Sequence, residues 1–311
     1  MKIGSKLGIA AGLAFAGHAA PALANGAVKS SSAGEDTDQG FEGELSTTVI
    51  GAKLSQADTG DATDSSGIGA HAGLAYSGAA HKLRFRLEVD ASVFEYREPT
   101  RNSRTTTRIG GEVNQDVTKD LSIGVSAARA FNMITLESVD ANQTSTQAGL
   151  TWKRGKHQVE AGAGYRWRQY NDGLASRGKG GQLSLRYRHS FGSWHWAAAR
   201  AGYDQVQSPN RLYGYKRASF ALDYNLPIAS RLRAVAGFDV RSWKYDGRHI
   251  SGNPAASQRR DQLYRPEIGL SYGNSKGLFG RATLAYDVRR SNDVRYRNDG
   301  LRVGLTAGFS F

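Results

Sequence analysis

Arginine recurs in this chain at alternate positions, with acids set among them. Arg84-x-Arg86-x-Glu88-x-Asp90 is one such run, and Arg166-x-Arg168, Arg186-x-Arg188, Asp239-x-Arg241 and Asp287-x-Arg289 repeat the form. A guanidinium stays charged at any relevant pH and holds a carboxylate or phosphate through two parallel N–H···O bonds. Spacing of two puts such groups on one face of a strand. The candidate anion-binding set on that face is Arg84, Arg86, Arg166, Arg168, Arg186, Arg188, Arg200, Arg217, Arg233, Arg241, Arg265, Arg281, Arg289 and Arg302, with Arg108 and Arg231 in the same phase. The acids in phase are fewer: Glu88, Asp90, Glu112, Asp116, Glu160, Asp204, Asp223, Asp239, Glu267 and Asp287. Two readings follow. The arginines line a passage for anions, or they form ion-pair ladders that brace a wall. The surplus of cations favours a positive potential on that face. Arg166, Arg168, Arg186 and Arg188 stand on consecutive strands with Glu160 the one acid set against them on the same face, so they are expected to form one cationic patch.

Strands must carry this pattern. About fourteen alternating runs span 41–55, 66–77, 81–96, 104–117, 120–134, 145–154, 157–170, 180–191, 194–207, 213–225, 231–245, 259–272, 278–290 and 300–311, with twelve or sixteen strands as the alternatives. The last is the clearest: Leu301, Val303, Leu305, Ala307, Phe309 and Phe311 alternate with Arg302, Gly304, Thr306, Gly308 and Ser310. Period two over about eleven residues suits a strand crossing a bilayer in a barrel. Connections alternate between short (Gly155-Lys156, Gly192-Ser193) and long (Gln56–Ser65, Tyr245–Gln258), as in an antiparallel up-and-down barrel with short turns and both termini in the periplasm. Glycine is plentiful, 38 of 311 residues, and proline scarce at 6, which suits an all-β chain. Mean hydropathy is −0.50, because a strand with one apolar and one polar face averages out. No stretch approaches eighteen apolar residues, so a membrane can be entered only as a closed sheet whose backbone groups are all paired. Tyr76, Trp152, Tyr187, Phe191, Tyr224 and Tyr272 fall near strand ends, where interfacial girdles form. Arg129 interrupts the alternation of its strand, and Trp194-His195-Trp196 leaves its phase open.

The first residues read as an export signal: Lys2 and Lys6, an apolar stretch from Leu7 to Ala20, and Ala22-Leu23-Ala24 before a cleavage point. The expected organisation is a signal peptide over 1–24, a Ser/Gly-rich periplasmic leader over 25–39 and a barrel over 40–311. Cysteine is absent, so no disulfide is possible. Net charge is +13, and loss of Lys2 and Lys6 leaves +11. For an exported chain the acidic partners are lipopolysaccharide phosphates, an acidic glycan or small anions rather than nucleic acid. Catalysis, cofactors and metals find little support. His71, His81, His157, His189, His195 and His249 lie on separate segments without metal-site spacing. Ser291 in Arg290-Ser291-Asn292-Asp293 has no histidine base in a matching position. Asp61 and Asp64 could hold calcium weakly, though a solvated loop is the simpler reading. Arg259-Arg260-Asp261 and Arg295-Tyr296-Arg297 read as basic rims.

Two features carry a resemblance. The alternating strand that stops at Phe311 resembles the C-terminal assembly signal of Gram-negative outer-membrane β-barrels. Arg259-Arg260-Asp261, Ile268 to Tyr272, Tyr286 to Asp293 and Tyr296 to Gly300 together resemble the final hairpins of porin families of α-proteobacteria. More weakly, they resemble the barrel of surface lipoprotein assembly modifiers. The resemblance implies residence in the outer membrane, contact with its lipid and lipopolysaccharide, and insertion by the barrel assembly machinery. It also implies a porin-like channel, passing anionic solutes or an acidic oligo- or polysaccharide. A translocon for surface proteins and a plugged structural barrel are the alternatives.

Overall fold

The computed structural model describes residues 40–56, 62–64, 66–97, 104–136, 139–273 and 276–311. The expected signal peptide and leader, and Asp61, lie outside the described residues. The strands are β1 (Gly40–Gln56), β2 (Ala62–Asp64), β3 (Gly67–Ala80), β4 (Leu83–Tyr96), β5 (Arg104–Asp116), β6 (Leu121–Ile134), β7 (Asp140–Arg154), β8 (His157–Tyr170), β9 (Arg177–Gly192), β10 (His195–Val206), β11 (Tyr215–Pro227), β12 (Leu232–His249), β13 (Gln258–Tyr272), β14 (Gly277–Ser291) and β15 (Asn298–Ser310). All but the three-residue β2, which pairs with the loop end of β1, form the wall. Each wall strand pairs antiparallel with the next, and β15 returns to pair with β1, so fourteen strands close into an up-and-down barrel.

Closure removes the sheet edges that lipid could not satisfy. The seam runs from Glu44↔Ser310 to Gln56↔Asn298. It ends in a reciprocal pair of backbone bonds, Gly43 N to Phe311 O at 3.1 Å and Phe311 N to Gly43 O at 3.0 Å. The Phe311 ring lies over Gly43, in the space a Cβ there would occupy. Wall strands run from 12 to 18 residues. At about 3.3 Å per residue and a tilt of roughly 40°, even the shorter ones cross an apolar band about 25 Å tall.

The two ends differ. His81-Lys82, Gly155-Lys156 and Ser193-Trp194 are two-residue turns on the same end as Gly40 and Phe311, the periplasmic end of such barrels. At the opposite end strands continue past their expected limits. β7 starts at Asp140, β9 at Arg177, and β12 reaches His249. Beyond the apolar belt no lipid demands alternation, so polar ladder segments such as Asn142↔Gln169 read as loop in the sequence. Single 3-10 turns at Arg211–Tyr213, Ile250–Gly252 and Val294–Tyr296 complete the loops.

Both ambiguous phases resolve as irregularities. On β6 the register shifts between Ala130 and Met133 around Asn132, whose φ is +52°, and Arg129 points outward over the Phe131 ring. Between β9 and β10, Trp194 takes φ +62° and the register shifts after His195, leaving His195 outward and Trp196 inward.

Candidate channel lining

Side-chain parity defines two faces. On β4, Leu83, Leu87, Val89 and Val93 are exposed on the outside, while Arg84, Arg86, Glu88 and Asp90 point inward. The other wall strands follow the same rule: Leu183, Leu185 and Tyr187 lie outside Ser184, Arg186 and Arg188, and Leu301, Val303 and Leu305 lie outside Arg302 and Thr306. The polar interior divides into two tiers along the axis.

The extracellular tier is packed. Asp204 accepts from Arg217 at 2.7 Å and lies 3.6 Å from Arg166. Asp287 receives Arg265 at 2.5 Å and also Arg302. Asp261 takes Arg289 at 2.7 Å, Arg259 at 3.2 Å and the Ser291 hydroxyl at 2.7 Å. Asp239 takes Arg241 at 2.7 Å. Aromatic rings fill the space between these groups. Tyr170 stacks on Tyr213 at 4.2 Å, and Trp243 donates to the Tyr245 hydroxyl at 3.0 Å. Arg259 lies over both Tyr245 (4.3 Å) and Tyr296 (3.7 Å). Arg168 stands over Tyr215 and donates to Gln143 at 2.7 Å. Asp261 and Asp287 are shut off from solvent, and Arg166 and Arg259 nearly so. Desolvation of such charges is costly, and a carboxylate set between two guanidiniums lowers that cost for both while offsetting one unit of charge.

Lower down the wall is wetter. Arg84 pairs with Asp116 at 2.6 Å, Arg86 with Glu42 at 3.0 Å, Arg200 with Asp223 at 2.9 Å and Arg281 with Glu267 at 2.7 Å. Arg186 lies 3.6 Å from Glu160, and Arg108, on the loop-side half of β5 yet also open to water, pairs with Glu88. The side chains of Arg84, Arg108 and Arg200 are 33%, 47% and 43% exposed, against 6% for Arg166. Exposed pairs of this kind hold weakly. Three cations here have no carboxylate within 4.0 Å among the described residues: Lys153, Arg188 and Arg233. Lys153 and Arg188 share one cross-strand row through Gln158. Arg188 lies over Trp196 at 4.8 Å, and Arg233 over Trp194 at 4.4 Å while it donates to the Gly273 carbonyl at 2.7 Å.

Several expectations are corrected. Arg166, Arg168, Arg186 and Arg188 do not form one patch. Antiparallel pairing sets Arg166 against Gly180 and Arg186 against Glu160, placing the two pairs about 20 Å apart along the strands. Arg231 is exposed in the β11–β12 turn rather than on the inner face. Asp261, read as part of a rim, is buried as the partner of Arg289 and Arg259. The inward aromatics were not singled out, although Arg241-x-Trp243-x-Tyr245 and Tyr213-x-Tyr215-x-Arg217 place them in phase with the arginines. The histidines are not all isolated either: His157 and His189 meet on the outer face, and Phe191 stands between His189 and His195.

The loops carry two depressed carboxylates. Hydrogen bonding from Ser176, by side chain and backbone, lowers Asp172 to about 2. Asp293 is held below the usual carboxylate range, first by hydrogen bonds from the Arg295 guanidinium, and also by the Ser251 amide at 2.9 Å. Asp293 thus ties the loop after β12 to the loop after β14. Asn292 adds a bond from the Arg260 amide at 2.8 Å and one to the Gln258 carbonyl at 3.0 Å.

No protein-family profile matches the sequence, and no curated protein matches it either. Solved structures do match. The outer-membrane channel DcaP of Acinetobacter baumannii aligns with a TM-score of 0.54 at 11% identity, over 88% of this chain and 97% of that one. A deletion mutant of TodX, the monoaromatic hydrocarbon channel of Pseudomonas putida, gives 0.52 at 14% identity over 88% and 90%. An anion-selective porin from Comamonas acidovorans gives 0.50 at 12% identity over 88% and 99%. At these identities the likeness establishes the fold, that of outer-membrane β-barrel porins and channels. The closed wall and its apolar outer belt are those of an outer-membrane protein, with lipid outside and the arginines within.

Proposed function

We propose that this chain is a porin-like channel that passes small anionic solutes, with arginine and lysine side chains attracting them into the lumen. The observation that carries the reading is the periplasmic arc of Lys153, Arg188 and Arg233, whose charges no neighbouring carboxylate offsets within 4.0 Å among the described residues. Positive charge facing water between low-dielectric walls concentrates anions and repels cations, and added salt weakens the effect. The paired arginines nearby, such as Arg84, Arg86 and Arg186, present guanidiniums that an entering carboxylate or phosphate can engage in exchange. An acidic oligosaccharide fits the same chemistry as a run of carboxylates. Insertion through the barrel assembly machinery, guided by Phe311, belongs to this reading. The test is a reversal potential across a salt gradient in planar bilayers. Anion selectivity at low ionic strength is expected, and cation selectivity in the unaltered protein would sink the proposal.

One observation favours a second reading, a barrel closed by its own side chains. The stacked Tyr170 and Tyr213, with Tyr215, Trp243 and Tyr245 beside them, fill space inside the extracellular tier. The same bilayer recording separates the two readings, since a plugged barrel does not conduct.

A further inference from the structure

Strands β7 to β11 carry a second basic cluster, on the outer face at the periplasmic end. Ladder register places Arg154 opposite His157 and His157 opposite His189, one row across three strands. His157 Nδ1 lies 2.8 Å from the Tyr187 hydroxyl, and the His157 and His189 rings are 4.7 Å apart. The row continues through Phe191, 4.6 Å from both the His189 and His195 rings, to His195, whose Nε2 is 2.8 Å from the Tyr224 hydroxyl. Lys156, in the turn, is exposed beside Arg154. No Asp or Glu occurs in 152–159 or 187–203, and Glu160 points the other way, into the lumen. Within these stretches the outer cations have no acid beside them, and the adjoining acid is Asp120, in the turn before β6, whose carbonyl accepts from the Lys153 amide at 2.8 Å.

Its depth says what it meets. Tyr187, Phe191 and Tyr224 are exposed on the outside just above the turns, at the level where aromatic rings sit among lipid headgroups. Arginine and lysine at that level bind phosphate through charge-assisted N–H···O bonds, and imidazole N–H groups add donors. Basic clusters at this depth attract anionic headgroups. We propose that the row Arg154–His157–His189, with Lys156, is a binding site for the phosphate of an anionic phospholipid in the periplasmic leaflet. The proposal uses the outer-membrane setting and does not depend on what the lumen conducts.

Trp152 provides a reporter. It points outward in the row adjoining Arg154, as partner of Val159, whereas Trp194, Trp196 and Trp243 stack on inward arginines. In a Trp167→Phe variant, Trp152 is the tryptophan left facing lipid. The full chain is reconstituted with brominated phosphatidylglycerol or brominated phosphatidylcholine at equal mole fraction, and tryptophan quenching is compared. Phosphatidylglycerol, the anionic lipid of the two, is expected to quench more strongly, with the preference falling about fivefold for each full cation removed. Combining Arg154→Gln, His157→Gln and His189→Gln should abolish the difference. If that variant does not insert, Lys156→Gln, at an exposed turn position, should still reduce it. Equal quenching by the two lipids overturns the proposal, as does a preference untouched by these substitutions. Loss of the preference on adding inorganic phosphate would mark a soluble-anion site and also overturn it.

Discussion

Arg166 and Arg186 sit on adjacent strands with the same inward parity, yet their surroundings are opposites. Arg166 is sealed from solvent beside a carboxylate that it shares with Arg217. Arg186 is partly wet, near Glu160, with Arg188 two residues on and no carboxylate within 4.0 Å of the latter among the described residues. The same contrast holds for the two ends of the lumen. Near the loops, arginines are held by buried acids. Near the turns the pairs are on the whole more exposed, and Arg188 and Arg233 lie over tryptophan rings with no carboxylate within 4.0 Å among the described residues. A guanidinium thus builds wall at one end and field at the other, and the deciding variable is which carboxylates register brings within reach, on the neighbouring strand or the one beyond it.

The sharpest way to break this comparison is to show that the ends are the wrong way round. An epitope inserted after Asn253, in the loop following β12, should be labelled on intact cells, and one at Gly192 should not. Labelling of both, or of Gly192 alone, would invert the assignment. Next in size is Asp287→Ala. It leaves Arg265 and Arg302 as buried cations, and loss of such a partner costs about 3–5 kcal/mol. The heat-modifiable folded form should unfold at clearly lower temperature, whereas Glu160→Ala at the wet end should change stability by under about 1 kcal/mol. Comparable losses at both sites would erase the distinction.

Selectivity should respond in the reverse order. Changing Lys153, Arg188 and Arg233 together to Gln should move the reversal potential toward cations, most visibly at low salt. Replacing the Arg265–Asp287–Arg302 group by uncharged residues of similar volume should move it much less. The smallest effect concerns the loops. The Asp293 pKa is lower in the folded protein, so its contribution is fully present above the unfolded value near 3.8 and fades as pH falls through the lower folded value. Protection of the loop after β12 from proteolysis should therefore persist to pH 4 and decline below it. In Asp293→Asn it should be weaker at neutral pH, by roughly 1–2 kcal/mol.

Period two makes a barrel strand legible, because lipid on one side and water on the other impose opposite demands on neighbouring residues. Strand number and the up-and-down order follow from that pattern together with the alternation of turn and loop. Depth is a different quantity. Arg166 and Arg186 look equivalent along the chain, and antiparallel pairing alone sends them to opposite ends of the wall. Partnerships that skip a strand, such as Arg166 with Asp204 or Arg86 with Glu42, depend on register and side-chain reach, for which no local signal exists. The outer histidines are hidden for the same reason: His157, His189 and, through Phe191, His195 come from three strands and are brought together only by ladder register. The rings of Tyr215, Trp243 and Tyr245 were legible in principle, since they share the arginines' phase. They escaped notice because an inward aromatic and a girdle aromatic differ in parity and not in type.

The seam between β1 and β15 has a kinetic consequence. The hydroxyls of Thr48 and Thr306, 2.9 Å apart across it, are separated by 258 positions in the chain. Every other wall pairing joins sequence neighbours through a turn or loop, so local hairpins can form early and this one contact set must wait. Long-range pairings carry the largest loop-closure entropy and are slow. Until they form, the growing sheet has a rim at each end of the chain, bearing free amides and carbonyls that hydrocarbon cannot solvate. Gly43 and Phe311, which bond to each other at the periplasmic end, are placed to act as the first tooth of a zipper that then runs toward the loops. A factor that holds the two rims apart from lipid, and releases them together, would act on the slowest step of this protein's assembly.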